Sequence, residues 1–146
     1  MEEKAIQAKR DSVAACRALL DQRPYQRLTL IGKSLGTLAM GDLLTTFLVA
    51  MPVHAIWLTP LFLDQELLEQ IRQASAPSLF VIGTRDAGYD PAYVRAVREW
   101  YAGKGDVLVI EGADHGLGVG AEGADVLGSV QALEQVMRAI QAFLRS

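Results

Sequence analysis

The chain has 146 residues, 51% of them hydrophobic, and a formal net charge of -3 at pH 7. That length and apolar content suit one packed core, read as a single domain over residues 1–146. The Lys and Arg residues are scattered and form no basic stripe, which sets nucleic acid and anionic membranes aside in favour of a small molecule or a protein as partner.

Met1, Glu2, Glu3 and Lys4 are polar or charged overall and lead into an amphipathic stretch with no secretory-signal core, so the chain reads as cytoplasmic. From Glu2 to Leu20 the apolar residues recur at helical spacing, and this helix ends before Pro24. The lone cysteine, Cys16, lies in that pattern and reads as a buried, inert thiol. Arg27 to Ile31 reads as a short strand closed by Gly32, followed by a largely buried helix from Leu35 to Ala50. The run from Leu35 to Leu63 is the most apolar, but Asp42, Pro52, His54 and Pro60 interrupt it well short of the ~20 residues a membrane span needs.

Strand and helix then alternate three more times: His54–Leu58 with Gln65–Ala74, Ser78–Ile82 with Pro91–Tyr101, and Val107–Ile110 with Ser129–Leu144. Strands rich in Val, Ile and Leu without clean alternation belong to a parallel sheet covered on both faces. The predicted class is therefore α/β, a three-layer α/β/α sandwich around a mainly parallel sheet of about four strands. Asp90 before Pro91 caps one helix, and Ser129 is placed to cap the last. Gly112 to Gly128 holds six glycines and reads as a loop carrying His115.

Gly32-Lys33-Ser34-Leu35-Gly36 matches the G-x-S-x-G elbow, where a sharp strand-to-helix turn lifts a serine clear of the sheet. Glycines at both flanks are expected to relieve crowding, and the N–H of Leu35 is placed to stabilise an oxyanion. The same residues contain Gly-Lys-Ser, the end of a phosphate-binding loop. That reading fails because Arg27 stands where the motif needs glycine, and Leu28 to Ile31 read as strand rather than loop.

A serine hydroxyl needs a base and the base an orienting acid. Of the two histidines, His54 opens a strand behind a proline, away from the carboxyl-end loops, and reads as structural. His115 follows the last strand directly and is the candidate base. Asp86, just past the third strand, is the candidate acid; Asp90 is better explained as a cap, and Asp114 is too close to His115 in sequence to orient it. Thr59, Pro60, Leu61, Phe62 and Tyr89 follow strand ends and are candidate substrate-lining residues, with Thr59, Phe62 and Tyr89 foremost. No cluster has metal-site spacing, and neither metal nor cofactor is expected.

Through Gly-Lys-Ser34-Leu-Gly, Ile56-Trp-Leu-Thr-Pro60, Leu79-Phe-Val-Ile-Gly-Thr-Arg-Asp86 and Val109-Ile-Glu-Gly-Ala-Asp-His115, the chain resembles the α/β-hydrolase superfamily over nearly its whole length. Within it the likeness is to the small bacterial dienelactone-hydrolase-like group. The resemblance implies a hydrolase of small carboxylic esters or thioesters, with Ser34, Asp86 and His115 on the triad positions. It also implies earlier strands and a His-Gly-rich loop supplying a second oxyanion donor, which this sequence lacks ahead of its first helix. Two expectations follow: a non-catalytic scaffold role as the alternative function, and either self-association, as a homodimer, through the uncovered edge of the Leu28–Ile31 strand or a nearby helix, or a chain that is a fragment of a longer gene product.

Overall fold

A computed structural model describes residues 2–145. Its elements in chain order are α1 (Glu2–Leu20), β1 (Leu28–Lys33), α2 (Leu35–Asp42), β2 (Val53–Leu58), α3 (Gln65–Gln73), β3 (Ser78–Gly83), α4 (Pro91–Trp100), β4 (Gly105–Ile110) and α5 (Val126–Arg145). The four strands form one parallel sheet in the order β1-β2-β3-β4, as the repeated βα alternation predicts.

Side-chain alternation divides the strands between two apolar layers. Ala55 and Trp57 of β2, with Phe80 and Ile82 of β3, join residues of α1 to α4 in the larger core. Ile56 of β2, with Leu79 and Val81 of β3, meets Ala132 and Val136 of α5 in the smaller one. All six residues of β3 are buried, which explains why its sequence shows no polar alternation. Trp57 stacks on Phe80 at 5.5 Å between ring centroids, and Tyr101 meets Phe80 edge-on at 4.9 Å.

β1 is an outer strand. The N–H groups of Leu28 and Ser34 donate to Pro52 O and Leu58 O on the β2 side. By the two-residue period of a strand, the main-chain groups of Thr29, Ile31 and Lys33 face outward. Their side chains are exposed on the face that α5 covers elsewhere, Ile31 by 60%.

Three local expectations need correcting. The helix after Ser34 does not run to Ala50 as a regular α-helix: from Leu43 to Phe47 it widens into a π-turn, closed by Leu48 N–H donating to Leu43 O at 2.8 Å. Thr45 and Thr46 donate hydroxyl hydrogen bonds to the carbonyls of Gly41 and Asp42, the acceptors that regular i−4 bonding would use. The last helix starts at Val126, three residues before Ser129. Asp125 caps it, accepting from Gly128 N–H at 2.8 Å, while the Ser129 hydroxyl turns back to Asp125 O. Asp90 caps α4 as expected, accepting from Ala92 N–H at 2.7 Å. Cys16 is half-buried against the larger core, and burial pushes its thiol pKa above the ordinary value. No described helix is long and apolar enough to cross a membrane.

Candidate active site

The site is built at the carboxyl ends of the strands, where βα loops gather in a parallel sheet. β1 ends at Lys33 and α2 begins at Leu35, leaving Ser34 as the whole turn, with φ 51° and ψ -118°. A side chain in that region is strained, and the surrounding bonds hold it there. Ser34 N–H donates to Leu58 O at 3.1 Å, while Ser34 O accepts from both the N–H (2.9 Å) and the hydroxyl (2.6 Å) of Thr37.

Gly32 is required by space: a Cβ there would sit 2.9 Å from Gly36 O. Gly36 differs from expectation. A Cβ on it would meet nothing within 4 Å, so its flank is open in this chain and crowding is no reason for that glycine.

Asp86 and His115 arrive on two loops laced together. Thr84 N–H donates to Ile110 O, Arg85 N–H to Ala113 O, and Gly112 N–H to the Thr84 hydroxyl. Gly83 permits this approach, since a side chain at that position would overlap the Ala113 carbonyl. Asp114, beside His115, is occupied with the loop itself: its carboxylate accepts from Gly116 N–H at 2.8 Å and Gly118 N–H at 3.0 Å.

The three side chains meet. The imidazole of His115 lies with Nε2 2.8 Å from Ser34 Oγ and Nδ1 2.7 Å from Asp86 Oδ2. The tautomer that satisfies both contacts carries its proton on Nδ1, donates to the carboxylate and accepts from the serine. Asp86 is anchored by a second bond, from Gly88 N–H to Oδ1 at 2.7 Å. Its side chain is only 3% exposed, whereas that of His115 is 43% exposed. A buried carboxylate thus holds one ring nitrogen while the other faces the serine and open solvent.

The proposed lining residues fare differently. Phe62 is fully buried between Phe80 and Tyr93, so it belongs to the core and presents no surface to a substrate. Thr59 is also fully buried, with φ 44° and a hydroxyl that meets no hydrogen-bond partner among the described residues. Tyr89 is half-buried and lines a cavity with Pro91, Val94 and Arg98 of α4. His54 lies at the start of β2, its ring 5.3 Å from that of Phe143, remote from the serine end. Sequence reasoning gave Lys33 no role, yet its ammonium donates to the main-chain oxygen of His115 at 3.1 Å.

Solved structures share this architecture. A CIB-like hydrolase from Thermoplasma acidophilum superposes with a TM-score of 0.58 at 15% identity, over 85% of this chain and 57% of that one. An alpha-beta serine hydrolase homologue from Coxiella burnetii gives 0.59 at 17% identity, over 84% of this chain and 55% of that one. The chain has the α/β-hydrolase fold. The esterase domain of a Rhodothermus marinus protein shares it at 20% identity and a TM-score of 0.53, over 84% of this chain and 65% of that one. The chain therefore spans little more than half the length of the first two α/β-hydrolase-fold proteins it matches. No protein-family model and no curated protein sequence matches it.

Proposed function

We propose that the chain is a serine hydrolase of small carboxylic esters or thioesters, of the dienelactone-hydrolase-like kind. The observation that carries this reading is the continuous hydrogen-bonded path from Ser34 Oγ through His115 to Asp86, at 2.8 and 2.7 Å. Residues 81 positions apart meet at hydrogen-bond distance, with the serine held in a strained turn at the start of a helix.

In the reaction, Ser34 Oγ attacks the carbonyl carbon as His115 Nε2 takes the hydroxyl proton. Asp86 keeps the ring oriented and offsets the charge of the imidazolium. The N–H of Leu35, which has no helical carbonyl to bond in the first turn of α2, donates to the oxyanion. The C–O or C–S bond then breaks, and His115 passes its proton to the leaving alcohol or thiol. Water, deprotonated by His115, attacks the acyl carbon; the acyl C–Oγ bond then breaks, His115 returns the proton to Ser34 Oγ, and the acid is released.

The alternative is a non-catalytic interaction or scaffold protein that keeps the elbow without useful turnover, because the elbow itself supplies one oxyanion donor, Leu35 N–H, of the two such sites use. Loss of one such donor costs about 10²- to 10³-fold in kcat. The two readings separate on reaction with a fluorophosphonate and on hydrolysis of p-nitrophenyl acetate. A hydrolase reacts and turns over as wild type and does neither as Ser34→Ala. Equal labelling of both proteins, or of neither, refutes the mechanism.

A further inference from the structure

The elbow reading accounts for Gly32 and Ser34 but leaves the lysine between them unexplained, and the structure supplies a role. Lys33 is the last residue of β1, next to the strained serine, and its exposed side chain rises on the face where the loop after β4 folds back over the sheet. Its Nζ donates to His115 O at 3.1 Å, across 82 residues of sequence. We propose that Lys33 is a positioning residue: its ammonium fastens the main chain of His115 to the elbow strand and so fixes how the imidazole addresses Ser34.

The loop needs such a fastening. Its root is secured, with Arg85 N–H donating to Ala113 O and Asp114 closing a turn on Gly116 and Gly118. Further along, the Arg85 guanidinium donates to Gly120 O at 2.7 Å and Val119 N–H donates to the Ser129 hydroxyl of α5 at 2.9 Å. These bonds tie the loop to the segment after β3, to α5 and to itself, and none reaches β1. The segment holds Gly112, Gly116, Gly118 and Gly120, residues that leave the main chain freedom to shift. The Ser34–His115 bond must break and reform as the proton moves, so it cannot also serve as the anchor during the reaction. A charge-assisted bond to the His115 carbonyl takes no part in proton transfer, so no step of the reaction requires it to break. It starts one residue from the nucleophile and so links the elbow directly to the main chain of the histidine.

The proposal rests on the hydrolase reading, and its test separates the two. Kinetics with p-nitrophenyl acetate, a neutral substrate, are compared for wild type, Lys33→Met and Lys33→Arg, alongside amide hydrogen exchange of residues 112–120. Lys33→Met keeps the length of the chain without the charge, and as an exposed residue its loss leaves global unfolding unchanged. The expected result is a fall in kcat on the order of tenfold with KM held within about twofold. Exchange in the loop becomes faster in Lys33→Met, and Lys33→Arg recovers most of both losses. Wild-type kcat and exchange in Lys33→Met overturn the proposal, as does a defect confined to KM or one that arginine fails to rescue. A wild type without turnover refutes the hydrolase reading alone, and the exchange comparison then decides on Lys33.

Discussion

Gly83→Ala tests whether the contact between the loops after β3 and β4 sets the geometry of the site. A Cβ at Gly83 would lie 2.5 Å from the carbonyl carbon of Ala113 and would overlap its oxygen. Restoring an ordinary separation of about 3.4 Å moves the Ala113 main chain by about 1 Å, since both partners are backbone and neither can rotate aside. His115 is two residues further on, and the same displacement takes its 2.7 Å bond to Asp86 beyond hydrogen-bond range. Misplacement of that size costs on the order of 10²-fold in turnover, and overpacking costs about 1 to 3 kcal/mol of stability. Hydrolysis of p-nitrophenyl acetate and urea unfolding measure the two effects. A Gly83→Ala protein with wild-type kcat and wild-type unfolding midpoint would refute the claim that this contact aligns the histidine.

Two further outcomes follow from other parts of the fold. Burial pushes the pKa of Tyr101 up from 10.0 to about 12, outweighing the opposite pull of the Ser78 side chain. Below pH 10 both folded and unfolded chains keep the phenol proton; above it the unfolded chain loses the proton first, so about 2 to 3 kcal/mol of stability disappears as pH rises to 12. Tyr101→Phe removes the 2.7 Å bond to Ile71 O, lowers stability at pH 8 by about 1 to 3 kcal/mol, and flattens the alkaline decline; an equally steep decline in that variant contradicts the assignment. The outward main-chain groups of β1 and the exposed Ile31 are expected to pair with a second copy of the chain. Light scattering then gives a dimer mass for wild type and a monomer for Ile31→Lys, and a wild-type monomer at every concentration removes this expectation.

The sequence reads well where a short stretch decides its own structure. Four apolar runs each followed by a helical pattern dictate four parallel strands, and Gly32-Lys33-Ser34-Leu35-Gly36 marks the elbow because it falls between a strand and a helix, with Gly32 the glycine that the turn requires. Asp86 and His115 stand just past the ends of their strands, as the sequence places them, and the structure brings both to hydrogen-bond distance of the Ser34 site. What escaped depends on neighbours distant in sequence. Phe62 looks like a loop residue until Phe80 and Tyr93 are seen to close around it. The π-turn after α2 is the local exception: it coincides with Thr45 and Thr46 hydroxyls bonding main-chain acceptors, which helical periodicity does not register. The Lys33 bond joins residues 82 apart in the sequence and leaves no local trace.

Ser34 stands at the end of the first strand, while Asp86 and His115 come after the third and fourth. The polar contact across them closes a circuit of 81 residues, so it forms only after every strand has taken its place. On the hydrolase reading, reactivity is thereby a late product of folding. A partly assembled chain holds an ordinary serine, and Ser34 meets His115 only when the architecture that restrains both is complete.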